Sequence, residues 1–298
     1  MAVISVSNLE KHYGDVHALR GVSFSVDKGE VFALLGPNGA GKSTAVEILE
    51  GHRRRSSGNV SVLGFDPGDS PRAFRDQIGI VLQETAIETE LTVKEAIDIY
   101  GSMYSKRRPA AELIEIVGLH EKADARIKTL SGGQKRRLEL ALGIVGDPEL
   151  IFLDEPTTGF DPSARRQAWS VVENLVALGK TVLLTTHYMD EAQHLADRVA
   201  VIANGEIVAE GTPESLGGRE TSATLITFQA GDFDADGFPV SDASMTPEGL
   251  VTVRSMTPTR DVYAISGWAV ERGIELVDLN VARPSLEDVY LDLTRDGD

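Results

Sequence analysis

Two glycine-rich turns in this chain each run into a helix start, where exposed backbone N–H groups and the helix dipole suit a phosphate. The first is LLGPNGAGKST, Leu34 to Thr44, and the second is TLSGGQKRRLEL, Thr129 to Leu140. Gly36 to Ser43 fits G-x-x-x-x-G-K-S and lies between an apolar strand and a helix, as that motif requires. Its glycines let the N–H groups of the loop turn toward phosphate oxygens, Lys42 supplies a point charge, and Ser43 reaches Mg2+. The order G-P-N-G-A-G is not the dinucleotide spacing G-x-G-x-x-G, and a lysine follows, so a nicotinamide cofactor is disfavoured.

Asp154 and Glu155 end the apolar run Leu150 to Leu153. Paired acids at a strand's end suit metal-dependent phosphoryl chemistry: Asp154 holds Mg2+ through water, and Glu155 accepts a proton from the attacking water. By themselves they could equally be helix-cap acids. A second apolar run ends at His187, at the crevice where parallel sheets bind ligands, although a lone histidine is more often structural. Gln83, ending GIVLQ, holds the equivalent place on a third run, where a polar residue usually just marks the surface. Three strands delivering polar groups to the edge that carries the phosphate loop make coincidence a poor explanation. In the second turn, Ser131 and Gln134 have the spacing of a capping box, which would account for Ser131 as a plain cap. Gly132 and Gly133 need another reason, since each costs roughly 1 kcal/mol of helix propensity. Small residues there let something approach the helix N-terminus closely, and it need not belong to this chain.

These groups need a scaffold, and the apolar runs VFALLG, GIVLQ, ELIFLDE and KTVLLTTH provide it. Runs that are apolar on both faces and alternate with helical patterns predict a parallel sheet covered on two sides. VISVSNLEKHYG and VSFSVDKGE alternate as antiparallel edge strands do. From Glu84 to Thr129 the pattern is almost wholly helical, with TVKEAIDIYGSMY and PAAELIEIVGL as candidates, so a helical insertion interrupts the sheet. After Gly211 come a Gly/Asp/Pro/Ser-rich stretch, two strand-like runs, the helix RDVYAISGWAVERG, the strand IELVDLNVA and a last helix. In that helix Leu286, Val289, Tyr290 and Leu293 fall at i, i+3, i+4 and i+7.

At 298 residues the chain suffices for one large and one small domain. No apolar run approaches the roughly 20 residues of a membrane span, so no direct membrane insertion is expected. The N-terminus has no apolar core of signal length and reads as a mature start. The absence of cysteine excludes disulfides and thiolate metal sites and agrees with a reducing compartment. The net charge is −17, of which the residues from Gly211 onward carry −10, a field that repels nucleic acid and anionic lipid. The basic cluster Arg53 to Arg55 reads as a solvated helix end. DFDADG places Asp232, Asp234, Asp236 and Gly237 like the start of a calcium loop, but Ala243 stands where its last ligand should be, so a solvated acidic linker is the better account.

Together these residues resemble the ATP-binding subunit of an ABC transporter. GPNGAGKST, comprising Gly36, Pro37, Asn38, Gly39, Ala40, Gly41, Lys42, Ser43 and Thr44, resembles its Walker A loop. Gln83 resembles its Q-loop, LSGGQ its signature, and LIFLDE its Walker B strand. Thr158 to Asp161 resembles its D-loop, and His187 its switch histidine. The likeness covers about the first 215 residues, and LSGGQ is its most specific motif. It implies ATP and Mg2+ as cofactors, with Ser43, Gln83 and Asp154 at the metal, Glu155 and His187 catalytic, and Tyr13 stacked on adenine. It also implies a head-to-tail pair in which Ser131, Gly132, Gly133 and Gln134 of one subunit, with Asp161, close over the ATP held by the other. Two turns are then needed for each ATP, from different chains. Phe160, where the family usually has leucine, leaves the fine geometry of the D-loop open.

A narrower resemblance lies in TTGFDPSARRQ, THYMDEAQHLADRVAVIANGEIVAEGTPESL and RPSLEDVYLDLT, which are similar to stand-alone ATPase subunits of bacterial and archaeal drug or antibiotic exporters. The expected fold is an α/β P-loop cassette over residues 1–215, with a parallel core sheet, an antiparallel edge subdomain and a helical subdomain at about 84–145. A small α/β accessory domain is expected over 216–298. The expected function is ATP hydrolysis by a pair of these subunits, powering a separate transmembrane permease that exports a drug, antibiotic or lipid-like compound. The partners are a second ATP-binding subunit and the permease, with no nucleic acid, and the place is the cytoplasmic side of the cell membrane as a peripheral protein. Two other classes stand beside it: a soluble ABC ATPase not coupled to transport, and a non-hydrolysing ATP-gated binding module. The single cassette without a long heptad run disfavours the first, and Glu155 with His187 disfavours the second.

Overall fold

The structure, a computed structural model, describes residues 2–81, 87–219, 222–229 and 237–295. The chain divides into two compact units, Met1–Pro213 and Glu214–Asp296. Gln83 and the three aspartates of DFDADG lie outside the described residues.

The first unit opens with two long strands, β1 (Ala2–Tyr13) and β2 (Val16–Asp27), followed by β3 (Val31–Leu35), helix α1 (Lys42–Leu49) and β4 (Ser57–Val62). Next come α2 (Arg72–Arg75), β5 (Ile78–Val81), α3 (Val93–Gly101), α4 (Ala110–Ile116) and α5 (Gly132–Gly143). The rest is β6 (Leu150–Asp154), α6 (Pro162–Ala177), β7 (Thr181–Thr186), α7 (Met189–Leu195), β8 (Arg198–Ala203) and β9 (Glu206–Gly211). β2-β1-β4 form an antiparallel sheet, and β5-β6-β7-β3-β8-β9 form a second sheet that is parallel except for its edge strand β9.

Every residue of β3 and β7 is buried, as runs apolar on both faces require. Phe32 and Leu34 of β3 enter one cluster with Ile4, Leu9, Leu19 and Phe24 of the antiparallel sheet and Val46 and Leu49 of α1. Phe24 and Phe32 stack with centroids 5.2 Å apart. α1 is thus clamped within the core, and its N-terminus can serve as a fixed site. Parallel register aligns Leu35 with Thr186, and Asp154 with Thr185. The residues that follow β3, β6 and β7 therefore emerge side by side at one sheet edge, where such folds bind ligands.

The insertion is less helical than its pattern predicts. α3 stops at Gly101 and α4 spans seven residues, and the rest among the described residues is turns and short 3-10 segments. Pro109 and Gly118 bound α4. The turns are held by charge, with Asp147 gathering Lys106, Arg108 and Lys180, which keep its carboxyl well below the usual range against the opposing effect of burial. Arg53 to Arg55 is not simply solvated either: Arg53 pairs with Glu47, and Arg55 makes two bonds to Asp66, of 2.7 and 2.6 Å. Acids six and eleven residues away in sequence were free to meet them once α1 ended and β4 turned back.

The second unit contains β10 (Thr224–Gln229), β11 (Ala243–Met245), β12 (Leu250–Ser255), α8 (Pro258–Arg272), β13 (Val277–Ala282) and α9 (Leu286–Arg295). Its antiparallel sheet has the order β11-β12-β10-β13, and Ile226, Phe228, Val251 and Val253 pack with Ile265 of α8. Leu286, Val289 and Tyr290 are buried, as the periodicity of α9 predicts. No helix among the described residues is long and apolar enough to cross a membrane.

Candidate functional site

The loop between β3 and α1 is built to a tight backbone tolerance. A Cβ on Gly36 would lie 2.3 Å from the Ile202 carbonyl oxygen, and Gly41 has φ of 109° with Ala18 O and Leu19 Cδ2 within 2.9 Å of its missing Cβ. No other residue fits there without moving β8 or β2. Ala40 is buried and its carbonyl accepts from Gly205 N at 3.0 Å, so Gly36 and Ala40 shape the loop. Pro37, Asn38, Gly39, Gly41, Lys42, Ser43 and Thr44 line a cavity of about 150 Å³, together with Ala18 and Glu155. That volume suits a phosphate group more than a whole nucleotide.

Lys42 is buried, and its Nζ donates to the carbonyls of Gly36 at 2.7 Å and Pro37 at 3.1 Å. It stands 3.9 Å from Glu155 Oε1. Burial pulls its pKa down, and the charges of Glu155 and Asp154 oppose that pull. At the sheet edge Thr185 sorts the two acids. Its hydroxyl donates to Asp154 Oδ1 at 2.5 Å, and its hydroxyl and carbonyl oxygens both lie 3.1 Å from the donating Glu155 N. Glu155 itself has φ of 44°, a left-handed conformation that a non-glycine residue holds only when its surroundings insist. Thr158 Oγ1 donates to Glu155 Oε2 at 3.1 Å, while His187 Nδ1 approaches Oε1 at 3.2 Å. The His187 contact is close but not aligned as a hydrogen bond, and that nitrogen has no bonded partner among the described residues. Ser43 and Asp154 offer hard oxygen donors of the kind Mg2+ takes, and Thr185 engages only one oxygen of Asp154. These residues fit that ion.

Behind them, at the C-terminal end of α1, Glu50 is buried, and burial together with the charges of Asp154 and Glu47 pushes its pKa up to about 8. His52 Nδ1 lies 3.2 Å from its Oε2.

The second turn is a separate place. Ser131 caps α5: its hydroxyl accepts from Gln134 N at 3.3 Å, and Gln134 Oε1 accepts from Ser131 N at 2.9 Å. Ser131, Gly132, Gly133 and Gln134 line an open groove of about 800 Å³, with Gly159, Phe160, Asp161 and again Glu155. None of the four signature residues lines the phosphate cavity, and Lys42 does not line the groove. Among the described residues, an added Cβ on Gly132 would meet no atom within 4 Å, and one on Gly133 would only touch Ala164 at 3.6 Å. This chain's own packing therefore does not explain the two glycines. Asp161 caps α6, its Oδ1 accepting from Ser163 N at 2.8 Å and Ala164 N at 2.9 Å.

Tyr13, at the end of β1, lies outside both cavities and is 38% exposed. Lys11 Nζ and Arg53 Cζ stand 4.8 and 5.2 Å from its ring centroid. The ring is held at the surface by cations, within reach of a planar ligand.

Residues that motif reading passed over join the two places. Arg136 on α5 is buried, donating from Nε to the Pro156 carbonyl at 3.1 Å, from its second terminal nitrogen to the Asp154 carbonyl at 3.3 Å, and pairing with Glu139 at 2.8 Å. It ties the helix of the second turn to the strand end that carries both acids. Glu191 on α7 is likewise buried and accepts from Thr157 at 2.9 Å and Trp169 at 3.2 Å. In the sequence both look like ordinary charges on amphipathic helices.

A family model described as ABC transporter matches residues 19–158, and one described as ABC transporter domain-containing protein-like, C-terminal domain, matches residues 224–285. The chain is 37% identical over 306 residues to the linearmycin resistance ATP-binding protein LnrL of Bacillus subtilis, covering 98% of each. It is 39% identical over 304 residues to the daunorubicin resistance ATP-binding protein DrrA3 of Streptomyces coeruleorubidus, covering 98% of this chain and 96% of that one. With the Nod factor export ATP-binding protein I of Rhizobium meliloti it shares 39% identity over 299 residues, covering 98% and 88%. Among solved structures it is similar to an ABC transporter's ATP-binding cassette in an ADP conformation, with TM-score 0.65, 28% identity, and 72% and 92% of the two chains covered. It is also similar to a dimeric post-hydrolysis cassette bound to ADP and Pi, with TM-score 0.62, 25% identity, and 70% and 98% covered.

Proposed function

Because this chain belongs to the ATP-binding subunits of ABC transporters, a family of ATPases, we propose that two copies close head to tail around two ATP molecules and so drive a separate membrane permease. The observation that carries the proposal is the separation of the two turns. A self-contained phosphate cavity and an open groove around Gly132 share Glu155 but no other lining residue. The groove of one subunit is then the cover for the other subunit's phosphate cavity.

Within a closed pair, each residue has a task set by its surroundings. Lys42, desolvated and tied to two loop carbonyls, presents a fixed positive charge to the β- and γ-phosphates. Ser43 and Asp154 would hold Mg2+, which would supply neutralisation of the phosphate charge. Gln83 is assigned to the same ion by motif alone. Glu155, oriented through Thr158, accepts the proton of the attacking water. His187, 3.2 Å from that carboxylate and still lacking an aligned bond, turns toward the γ-phosphate when ATP arrives. Ser131, Gly132, Gly133 and Gln134 bring the N-terminus of α5 to the partner's γ-phosphate, and Tyr13 stacks on adenine.

The transported compound is a drug, antibiotic or lipid-like molecule, by likeness to relatives whose names specify linearmycin resistance, daunorubicin resistance and Nod factor export. The chain works as a peripheral protein on the cytoplasmic face of the membrane, held by its permease. Ile99 and Met103, 44% and 64% exposed near the end of α3, provide apolar surface for that grip.

The test mixes two inactive variants. Ser131→Arg blocks the groove, and Lys42→Ala weakens phosphate binding, so each homodimer should be inactive. A mixed dimer keeps one intact cavity facing one intact groove, and hydrolysis should return on mixing. Absence of recovery in demonstrated mixed dimers removes the shared site.

A further inference from the structure

The β1–β2 hairpin assembles a group of side chains that nucleotide chemistry does not use. Glu10 and His12 are two residues apart on β1, with His12 Nε2 only 3.7 Å from Glu10 Oε2. The ladder pairs Lys11 with Leu19 and then His12 with His17, so Ala18 is an extra residue in β2. Such a bulge re-aims its neighbours. Here it sends Ala18 to the phosphate cavity and sets His17 directly opposite His12, with the imidazoles stacked at 3.9 Å and an interplanar angle of 18°.

One nitrogen or carboxylate oxygen from each of Glu10, His12 and His17 lies within 4.8 Å of the other two. His17 Nε2 is shielded from solvent and has no hydrogen-bond partner among the described residues. A buried nitrogen in that state calls for a water or an ion. The start of β4 braces the group from behind. Ser57 Oγ donates to Glu10 Oε2 at 2.9 Å, and Ser56 Oγ accepts from His12 N at 2.9 Å. The Ser57 bond is of the kind that orients a ligating carboxylate in metal sites, and the Ser56 bond holds the backbone of His12.

We propose that Glu10, His12 and His17 bind one divalent transition-metal ion of the Zn2+ class, leaving a further coordination position open to solvent. Two imidazoles and one carboxylate are the donor set of such ions, whereas Mg2+ and Ca2+ prefer all-oxygen sets. Ligands on a tetrahedral ion with bonds near 2.0–2.2 Å sit about 3.3 Å apart, so binding must draw the three donors together and turn the stacked rings until their nitrogen lone pairs converge. His12 and Glu10, with side chains 46% and 41% exposed, are free to move. The ion would join β1 to β2 at the last pairs before the Gly14–Asp15 turn.

The metal-stripped full chain is titrated with Zn2+, and with Co2+ as a visible reporter, in buffer containing millimolar Mg2+. The site predicts saturable binding of one ion per chain, Co2+ absorption bands indicating nitrogen ligation, and slower amide exchange in residues 10–20. His17→Ala and His12→Ala should each weaken Zn2+ binding by about 100-fold or more, and Glu10→Gln by about 10-fold. Unfolding midpoints of the variants in EDTA check that the hairpin survives, and should His17→Ala unfold it, His12→Ala and Glu10→Gln carry the same test. Zn2+ binding that is absent, that Mg2+ displaces, or that persists unchanged in both histidine variants overturns the proposal.

Discussion

The two glycine-rich turns look alike in sequence and differ in what their glycines answer to. In the phosphate loop the constraint is internal. Gly36 and Gly41 are pressed by the carbonyls of Ile202 and Ala18, Lys42 is buried, and α1 is part of the core. In the signature turn nothing among the described residues presses on Gly132, and the turn opens on a wide groove. A glycine demanded by its own fold reports backbone geometry, whereas one with empty space around it reports something that must arrive. On the proposed function, the first turn is a finished half-site and the second is the cover for another subunit's site.

The largest expected effect lies where the two regions meet, at Glu155. Glu155→Gln should lower turnover by about 100-fold or more, since it removes the proton acceptor. Lys42, Ser43 and Asp154 should still hold the nucleotide, so unhydrolysed ATP should trap a dimer visible by gel filtration. Near-normal turnover would take Glu155 out of catalysis and leave the two regions without a common residue.

The contrast between the glycines can be broken directly. Gly36→Ala should destabilise the fold by about 1–3 kcal/mol, because its Cβ must displace backbone of β8. Gly132→Ala should leave stability unchanged, or raise it by up to about 1 kcal/mol through helix propensity, while ATPase activity falls. Chemical denaturation and an activity assay on the same two proteins test both halves. Loss of stability in Gly132→Ala, or full activity, would make the signature turn an ordinary cap.

A third expectation concerns how self-contained the first region is. With its pKa raised to about 8, Glu50 keeps its proton in the folded state at pH values where the unfolded chain has lost it. Stability from this group is fully present below the ordinary carboxylate pKa and is lost as pH rises through about 8. The loss should be at most about 1.4 kcal/mol per pH unit. Glu50→Gln, neutral at every pH, should flatten the profile of denaturation midpoint against pH between about 5 and 8, the window between the two pKa values. A slope that persists assigns the titration to another group.

The smallest effect on the isolated subunit is expected at the surface proposed to face the permease. Ile99→Glu and Met103→Glu should change stability by no more than about 0.5 kcal/mol and spare ATP binding, because both side chains are exposed. When the protein is co-expressed with its permease, the same changes should release it from the membrane fraction. Retention in that fraction would place the coupling surface elsewhere.

By itself the sequence determined the chemistry and the kind of scaffold. Lys42, Ser43, Asp154, Glu155 and His187 stand out as candidates from short motifs and strand ends, because a phosphate loop needs its glycines and lysine at fixed local spacing. The buried strands and the α9 stripe were readable from periodicity, a property of neighbours along the chain. The insertion was overread as helix because periodicity does not register the ion pairs around Asp147 that hold its turns. Only the tertiary structure decided what depends on residues far apart meeting. It set the register that aligns Leu35 with Thr186 and Asp154 with Thr185, and it buried Arg136 between α5 and the Walker B strand end. It raised the pKa of Glu50 through burial beside Asp154, and through a single extra residue at Ala18 it turned His17 toward His12. Burial, charge coupling and strand register are sums over contacts that the chain makes only when folded, so no local pattern announces them.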